Sequence, residues 1–70
     1  MTPVEIRDDM IRLGQLLQLA GIVDGGSEAK HVIAGGEVEV NGEVEVRRGR
    51  QVRPGDVVTV GGIEVQVVQV

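Results

Sequence analysis

Valine and glutamate alternate from Glu37 to Val46, interrupted only by Asn41-Gly42. A period of two on both sides of an Asn-Gly pair predicts two strands joined by a tight turn. With a two-residue loop, Val40 would face Glu43 and Val38 would face Glu45, mixing apolar and charged side chains on one face. Adding Glu43 to the loop, with a bulge at Gly42, pairs Val40 with Val44 and Val38 with Val46 instead. The three-residue loop is therefore the expectation. It places Glu37, Glu39, Glu43 and Glu45 on the solvated face, with Glu39 opposite Glu45.

Upstream the period changes. Met10, Leu13, Leu17 and Ala20 recur at helical spacing, with Leu16 widening the stripe, so a helix is predicted from an N-cap at Asp8 or Asp9 to a stop at Gly21. Asp24-Gly25-Gly26 reads as a turn. A second short helix is predicted from Ser27 as N-cap, with Glu28 in its first turn, Ala29, Val32 and Ile33 inward, and Gly35-Gly36 as its end. Val4 to Ile6 reads as a short leading strand.

Downstream of the hairpin, Arg47 to Arg50 form a basic loop and Gln51-Val52 return to extended structure. Arg53-Pro54-Gly55-Asp56 suits a type II turn, with Pro second and Gly third. Val58 and Val60 alternate in the next strand, Gly61-Gly62 turn the chain, and Ile63, Val65 and Val67 form a last strand in phase. Val68 and Val70 fall out of phase, which predicts a bulge or a frayed end. The fold class expected is α+β: two short N-terminal helices packed on a small, mostly antiparallel sheet.

Seventy residues make a single domain, 1–70, near the lower size limit for an unassisted core. With no cysteine, disulfides and cysteine-ligated zinc are excluded as staples, and no apolar run approaches a membrane span. The acidic start, Glu5, Asp8 and Asp9, is unlike a signal peptide, so a cytoplasmic monomer with no cofactor or metal is expected.

The net charge of −4 argues against a generic polyanion binder, but the charge is unevenly distributed. Residues 1–46 hold three basic and nine acidic groups, whereas residues 47–53 hold four arginines. Phe, Tyr and Trp are absent, so recognition by stacking bases on those rings, the usual device of single-strand binders, is not available. A nucleic-acid site here must work through charge and shape.

Other chemistry is thin. His31 and Ser27 are the only histidine and serine and lie four apart, but Ser27 is accounted for as a cap and no loop supplies an oxyanion hole. The four hairpin glutamates carry the period of a wet strand face, not of a magnesium site. Gly25-Gly26 precedes a helix as in a phosphate-cradling loop, but without the lysine and spacing of a P-loop. The arginines of Arg47 to Arg53 remain as a compact cationic projection suited to bridging phosphates.

Arg12-Leu13-Gly14-Gln15-Leu16-Leu17, Ser27 through Ile33, Gly36 through Gly42 and Arg53 through Val58 together resemble the S-four RNA-binding domain. The Arg47-Arg48-Gly49-Arg50 stretch is most similar to its short stand-alone bacterial members, the YbcJ-like proteins. The resemblance spans about residues 10 to 60. It implies an alpha-L-like fold whose helix pair and adjoining loop form an RNA-binding surface, and it carries that surface onto Arg12, Ser27, Lys30, Arg47, Arg48 and Arg50. Structured ribosomal or transfer RNA is the implied partner, with the ribosome as one platform. Gln18 stands where close relatives often have Lys, and Gly25-Gly26 replaces the Ser-Arg of many larger relatives; both remove positive charge.

A non-enzymatic RNA binder is thus expected. The alternative is a protein-interaction module that uses the acidic hairpin face or the C-terminal strand as an edge.

Overall fold

A computed structural model describes all residues, 1–70. The strand β1 (Thr2–Ile6) leads, and a two-residue strand β2 (Ile11–Arg12) runs directly into helix α1 (Leu13–Leu19); helix α2 (Gly26–Ala34) follows. Then come β3 (Val38–Val40), β4 (Glu43–Val44), β5 (Gln51–Val52), β6 (Val57–Val60) and β7 (Ile63–Gln69). The main sheet has the order β1-β7-β6-β3-β4, and β2 pairs with β5 in a separate two-stranded ladder. Every pair is antiparallel except β1 with β7, whose strands are joined through the whole rest of the chain. The α+β class is as expected, but two strands precede the helices. No helix is long and apolar enough to cross a membrane.

The first helix starts later than its apolar spacing implies. Asp8 and Asp9 lie in a bend, and Arg12, extended at φ −80° and ψ 147°, occupies the N-cap position without a side-chain cap. The ladder of Ile11 with Val52 and Arg12 with Gln51 claims the residues that helical periodicity would have extended. The second helix is capped by Gly25, so Ser27 sits inside the first turn; the Glu28 carboxylate reaches back to accept the Asp24 N–H at 2.7 Å. Both helices end in the same motif. Ile22 N–H donates to Leu17 C=O and Glu37 N–H to Val32 C=O, each closing around a left-handed glycine, Gly21 and Gly36.

The hairpin overturns the three-residue loop. Val40 faces Glu43 and Glu39 faces Val44, with a two-residue turn in which Asn41 and Gly42 both take positive φ, 53° and 85°. That conformation matches the right-handed twist of the flanking strands, and Asn41 is locked into it from the side. Its N–H donates to Val57 C=O at 2.7 Å, its Oδ1 accepts the Val57 N–H at 2.9 Å, and its Nδ2 donates to Asp56 Oδ1 at 3.1 Å. The register has a cost. Val44 and Val46 are left 62% and 56% exposed, while Glu45 turns inward to 6% exposure. Two arginines make that inward carboxylate tolerable, as described below.

Fifteen apolar side chains, all aliphatic, form one core. The inner sheet face supplies Val4, Ile6, Val38, Val40, Val58, Val60, Val65 and Val67, and Leu13, Leu16, Leu17, Ala29 and Ile33 of the helices lie in the same cluster. The β-branched residues suit strands and the leucines suit the helix, so local preference and burial agree. Gly55 at φ 97° and the Asp56 N–H bond to Arg53 C=O complete the predicted turn before β6. The last strand continues in register to Gln69 without a bulge, and it is not an edge: β1 covers one side and β6 the other. The C-terminal strand therefore offers no free ladder to a partner chain.

Candidate nucleic-acid interface

The ladder of β2 with β5 brings the start of α1 and the basic loop together, although they are distant in sequence. Because β2 pairs with β5, the loop between β4 and β5 passes over the first turn of α1. Leu13 N–H donates to Arg50 C=O at 2.8 Å and Gly14 N–H to Arg48 C=O at 3.0 Å, while Arg12 Nη1 donates to Gly49 C=O at 3.2 Å. Two of these loop carbonyls, Arg50 and Arg48, thus do for the free helix N–H groups the work that a capping side chain does elsewhere, and the third ties down the Arg12 side chain. With its carbonyls turned toward the helix, the loop carries its guanidinium groups on the outside.

Gly14 is what lets the loop come this close. A Cβ at that position would lie 2.6 Å from Cγ and 3.2 Å from Cδ of Arg48, so the stem of Arg48 lies across the helix backbone. The Arg48 guanidinium itself bonds to nothing in the protein. Beside it, Arg12, Gln15, Gln18 and Gly26 complete an open cleft of about 360 Å³ with no apolar side chain in its wall.

On the other side of Gly49 lies a second cleft, about 600 Å³, lined by Arg47, Arg50, Gln51 and Arg53. Two of these arginines are pinned from below. The Glu45 carboxylate accepts from Arg47 Nε at 3.0 Å and Nη2 at 3.2 Å, from the Arg47 N–H at 3.0 Å and from Arg50 Nη1 at 2.9 Å. The side-chain bonds from Arg47 first, then that from Arg50, hold the Glu45 pKa at about 2 from 4.5, and the same pairing raises that of Arg47. Arg47 nonetheless remains 75% exposed, with guanidinium N–H groups directed to solvent.

Of the residues expected at the surface, Arg12 and Arg48 share the first cleft, and Arg47 and Arg50 share the second. Ser27 and Lys30 are exposed on α2, one turn apart; neither lines a cleft, although Gly26, next to Ser27, does. Beyond the expected set, Gln15 and Gln18 also line the first cleft and Arg53 the second. Gln15 and Gln18 follow Arg12 at a spacing of three, the signal of a shared helix face. Arg53 does not pair its side chain with Asp56; only its N–H bonds that carboxylate, at 2.8 Å, leaving the guanidinium in the cleft with a long 3.5 Å contact to Gln51. Glu45, expected on the wet face, instead turns inward beneath Arg47 and Arg50.

A family model described as the S4 domain matches residues 4–68. The chain belongs to the S4 domain family. Among solved structures, this S4 domain is similar to YbcJ from E. coli, whose solution structure reveals an alfaL motif involved in RNA-binding. The TM-score is 0.75 at 36% identity, covering 97% of this chain and 87% of YbcJ. It also matches the 30S ribosomal protein S4e from Thermoplasma acidophilum, with a TM-score of 0.63 and 24% identity over 83% of this chain. That match takes in 31% of the ribosomal protein's chain, and at such identity it establishes a shared fold alone. No curated protein matches the sequence.

Proposed function

We propose that this S4 domain is a non-enzymatic binder of structured RNA, ribosomal or transfer RNA, that holds phosphates and reads helical shape. The observation that carries this reading is the pair of adjoining clefts around Gly49, built from arginine and glutamine side chains. Guanidinium groups donate in a fixed fork that matches phosphate oxygens, and glutamine amides donate and accept as ribose hydroxyls require. No Phe, Tyr or Trp ring is present to stack on an unpaired base, which favours a folded, A-form target over an open strand. The likeness to YbcJ, with its motif involved in RNA-binding, supports the same assignment.

In this reading Arg12 and Arg48 hold one phosphate region, and Arg47, Arg50 and Arg53 hold the next. Lys30 and Ser27, on the exposed side of α2, extend the contact beyond the first cleft. The acidic hairpin residues Glu39 and Glu43 lie on other elements and orient the domain by repelling the backbone. The protein works in the cytoplasm as a single copy, with the ribosome as one candidate platform.

Fluorescence anisotropy with a ribosomal RNA stem-loop, against duplex DNA of equal length and over a salt series, tests the proposal. About four phosphate contacts predict a roughly hundredfold loss of affinity for a fourfold rise in monovalent salt. Replacing Arg47, Arg48 and Arg50 by Ala should remove most of the binding and flatten the salt dependence. Equal binding by that triple variant, or no preference for RNA, would overturn it.

A further inference from the structure

Glu45 is the one charged side chain that the fold buries, and phosphate binding by itself gives it no role. Placed directly beneath the arginines, it lowers the positive potential of the surface they form. It also sits where the opposing strand offers Val38, whose C=O accepts the Glu45 N–H at 2.9 Å. An apolar side chain there would join the core, and an ion pair with partners as exposed as Arg47 and Arg50 adds little stability over a hydrophobic group of similar size. Stability is thus a poor account of a carboxylate at this position.

Geometry gives a better one. Both carboxylate oxygens are used: Arg47 engages them as a fork through Nε and Nη2, and Arg50 adds a bond to Oε1. The Arg47 N–H bonds the same group, so the backbone entering the loop is fixed along with the side chain. From the opposite side the loop carbonyls of Arg48, Gly49 and Arg50 are held by the start of α1. Between these two attachments the loop is held on both sides, and Arg48 projects from it over Gly14.

We propose that Glu45 is a positioning residue for RNA binding: its carboxylate holds Arg47 and Arg50 in one arc, so that the basic loop meets phosphates already formed. The proposal rests on the RNA-binding reading of this surface. It makes a prediction opposite in sign to simple electrostatics. Removing an acidic group beside the arginines should weaken binding, because two long side chains and their loop must then be ordered on each encounter.

Two variants separate the effects. Glu45→Gln keeps the reach and loses the charge; Glu45→Asp keeps the charge and loses one methylene of reach. Affinity for the RNA stem-loop is measured by anisotropy, and backbone 15N relaxation of residues 47–50 is measured in the free proteins. If Glu45→Gln fails to give the wild-type spectrum for core amides, Glu45→Asp carries the test. The expected result is about tenfold weaker binding by both, with raised loop mobility and an unchanged core. Wild-type affinity for Glu45→Asp, or tighter binding by Glu45→Gln, would overturn the proposal while leaving RNA binding intact. Failure of the wild-type protein to bind would overturn both.

Discussion

Adding one methyl group at Gly14 should separate RNA binding from stability. The new Cβ would approach Arg48 Cγ to 2.6 Å, roughly 1 Å inside ordinary carbon contact, so the Arg48 stem must swing off the helix. Arg48 is exposed and its guanidinium bonds nothing in the protein, so a new rotamer costs on the order of 1 kcal/mol. Replacing glycine by alanine in a helix returns up to about 1 kcal/mol, so the two nearly cancel. The Gly14 N–H bond to Arg48 C=O does not involve the side chain and is retained. Thermal unfolding of Gly14→Ala should therefore lie within about 5 °C of wild type. RNA affinity should fall about tenfold, the loss expected when one charge-assisted contact is weakened by 1 to 2 kcal/mol. The salt slope should become shallower by about 0.9, one phosphate fewer. Unchanged affinity and slope would show that Arg48 does not contact RNA. A loss of several kcal/mol in stability with normal affinity would show that Gly14 serves packing and not the site.

The Glu45 carboxyl, held at about 2 against 4.5, gives a pH dependence of definite sign. Its pairing stabilises the fold fully above pH 4.5 and is lost as pH falls from there through 2, so melting temperature should drop in that window more steeply in wild type than in Glu45→Gln. Asn41→Ala should lose about 1 to 3 kcal/mol in denaturant unfolding, since it strands the Val57 N–H and Asp56 and leaves a less suitable residue at positive φ; a neutral result would refute the locked turn. Ile33→Ala should cost about 2 to 5 kcal/mol, enough to leave a domain of this size largely unfolded by circular dichroism at 37 °C. Arg53→Ala should lower RNA affinity and salt slope without moving the melting temperature, because its guanidinium makes no ion pair; wild-type binding would remove it from the site.

Much of this architecture was readable because local and global preferences coincide. The Leu13, Leu16, Leu17 stripe, the glycine stops after both helices and the Pro54-Gly55 turn each carry their own physical signal, and the structure uses all of them. What was not readable depends on pairings distant in sequence. Nothing near Ile11 and Arg12 announces that Val52 and Gln51 will pair with them, so the helix was extended too far toward Asp8. The hairpin register departs from the alternation pattern for a related reason. Judged alone, an inward Glu45 is prohibitive; judged with Arg47 and Arg50 only a few residues on, it is not. Four arginines beside a run of glutamates were the available clue that one carboxylate would be drawn under the loop. The site followed the same division: the arginine cluster stood out by composition, whereas Gln15, Gln18 and Gly14 gain meaning only once the loop lies across α1.

The most direct test of the account is to map, residue by residue, where RNA touches the domain. A 15N-labelled sample titrated with the ribosomal RNA stem-loop reports backbone amides and arginine Nε–H groups together. Shifts confined to residues 12–18, the start of α2, and 47–53, with Glu39, Thr59 and Glu64 on the outer sheet face silent, are the predicted result. Shifts centred on that outer face, with the arginine Nε–H signals unmoved, would contradict it.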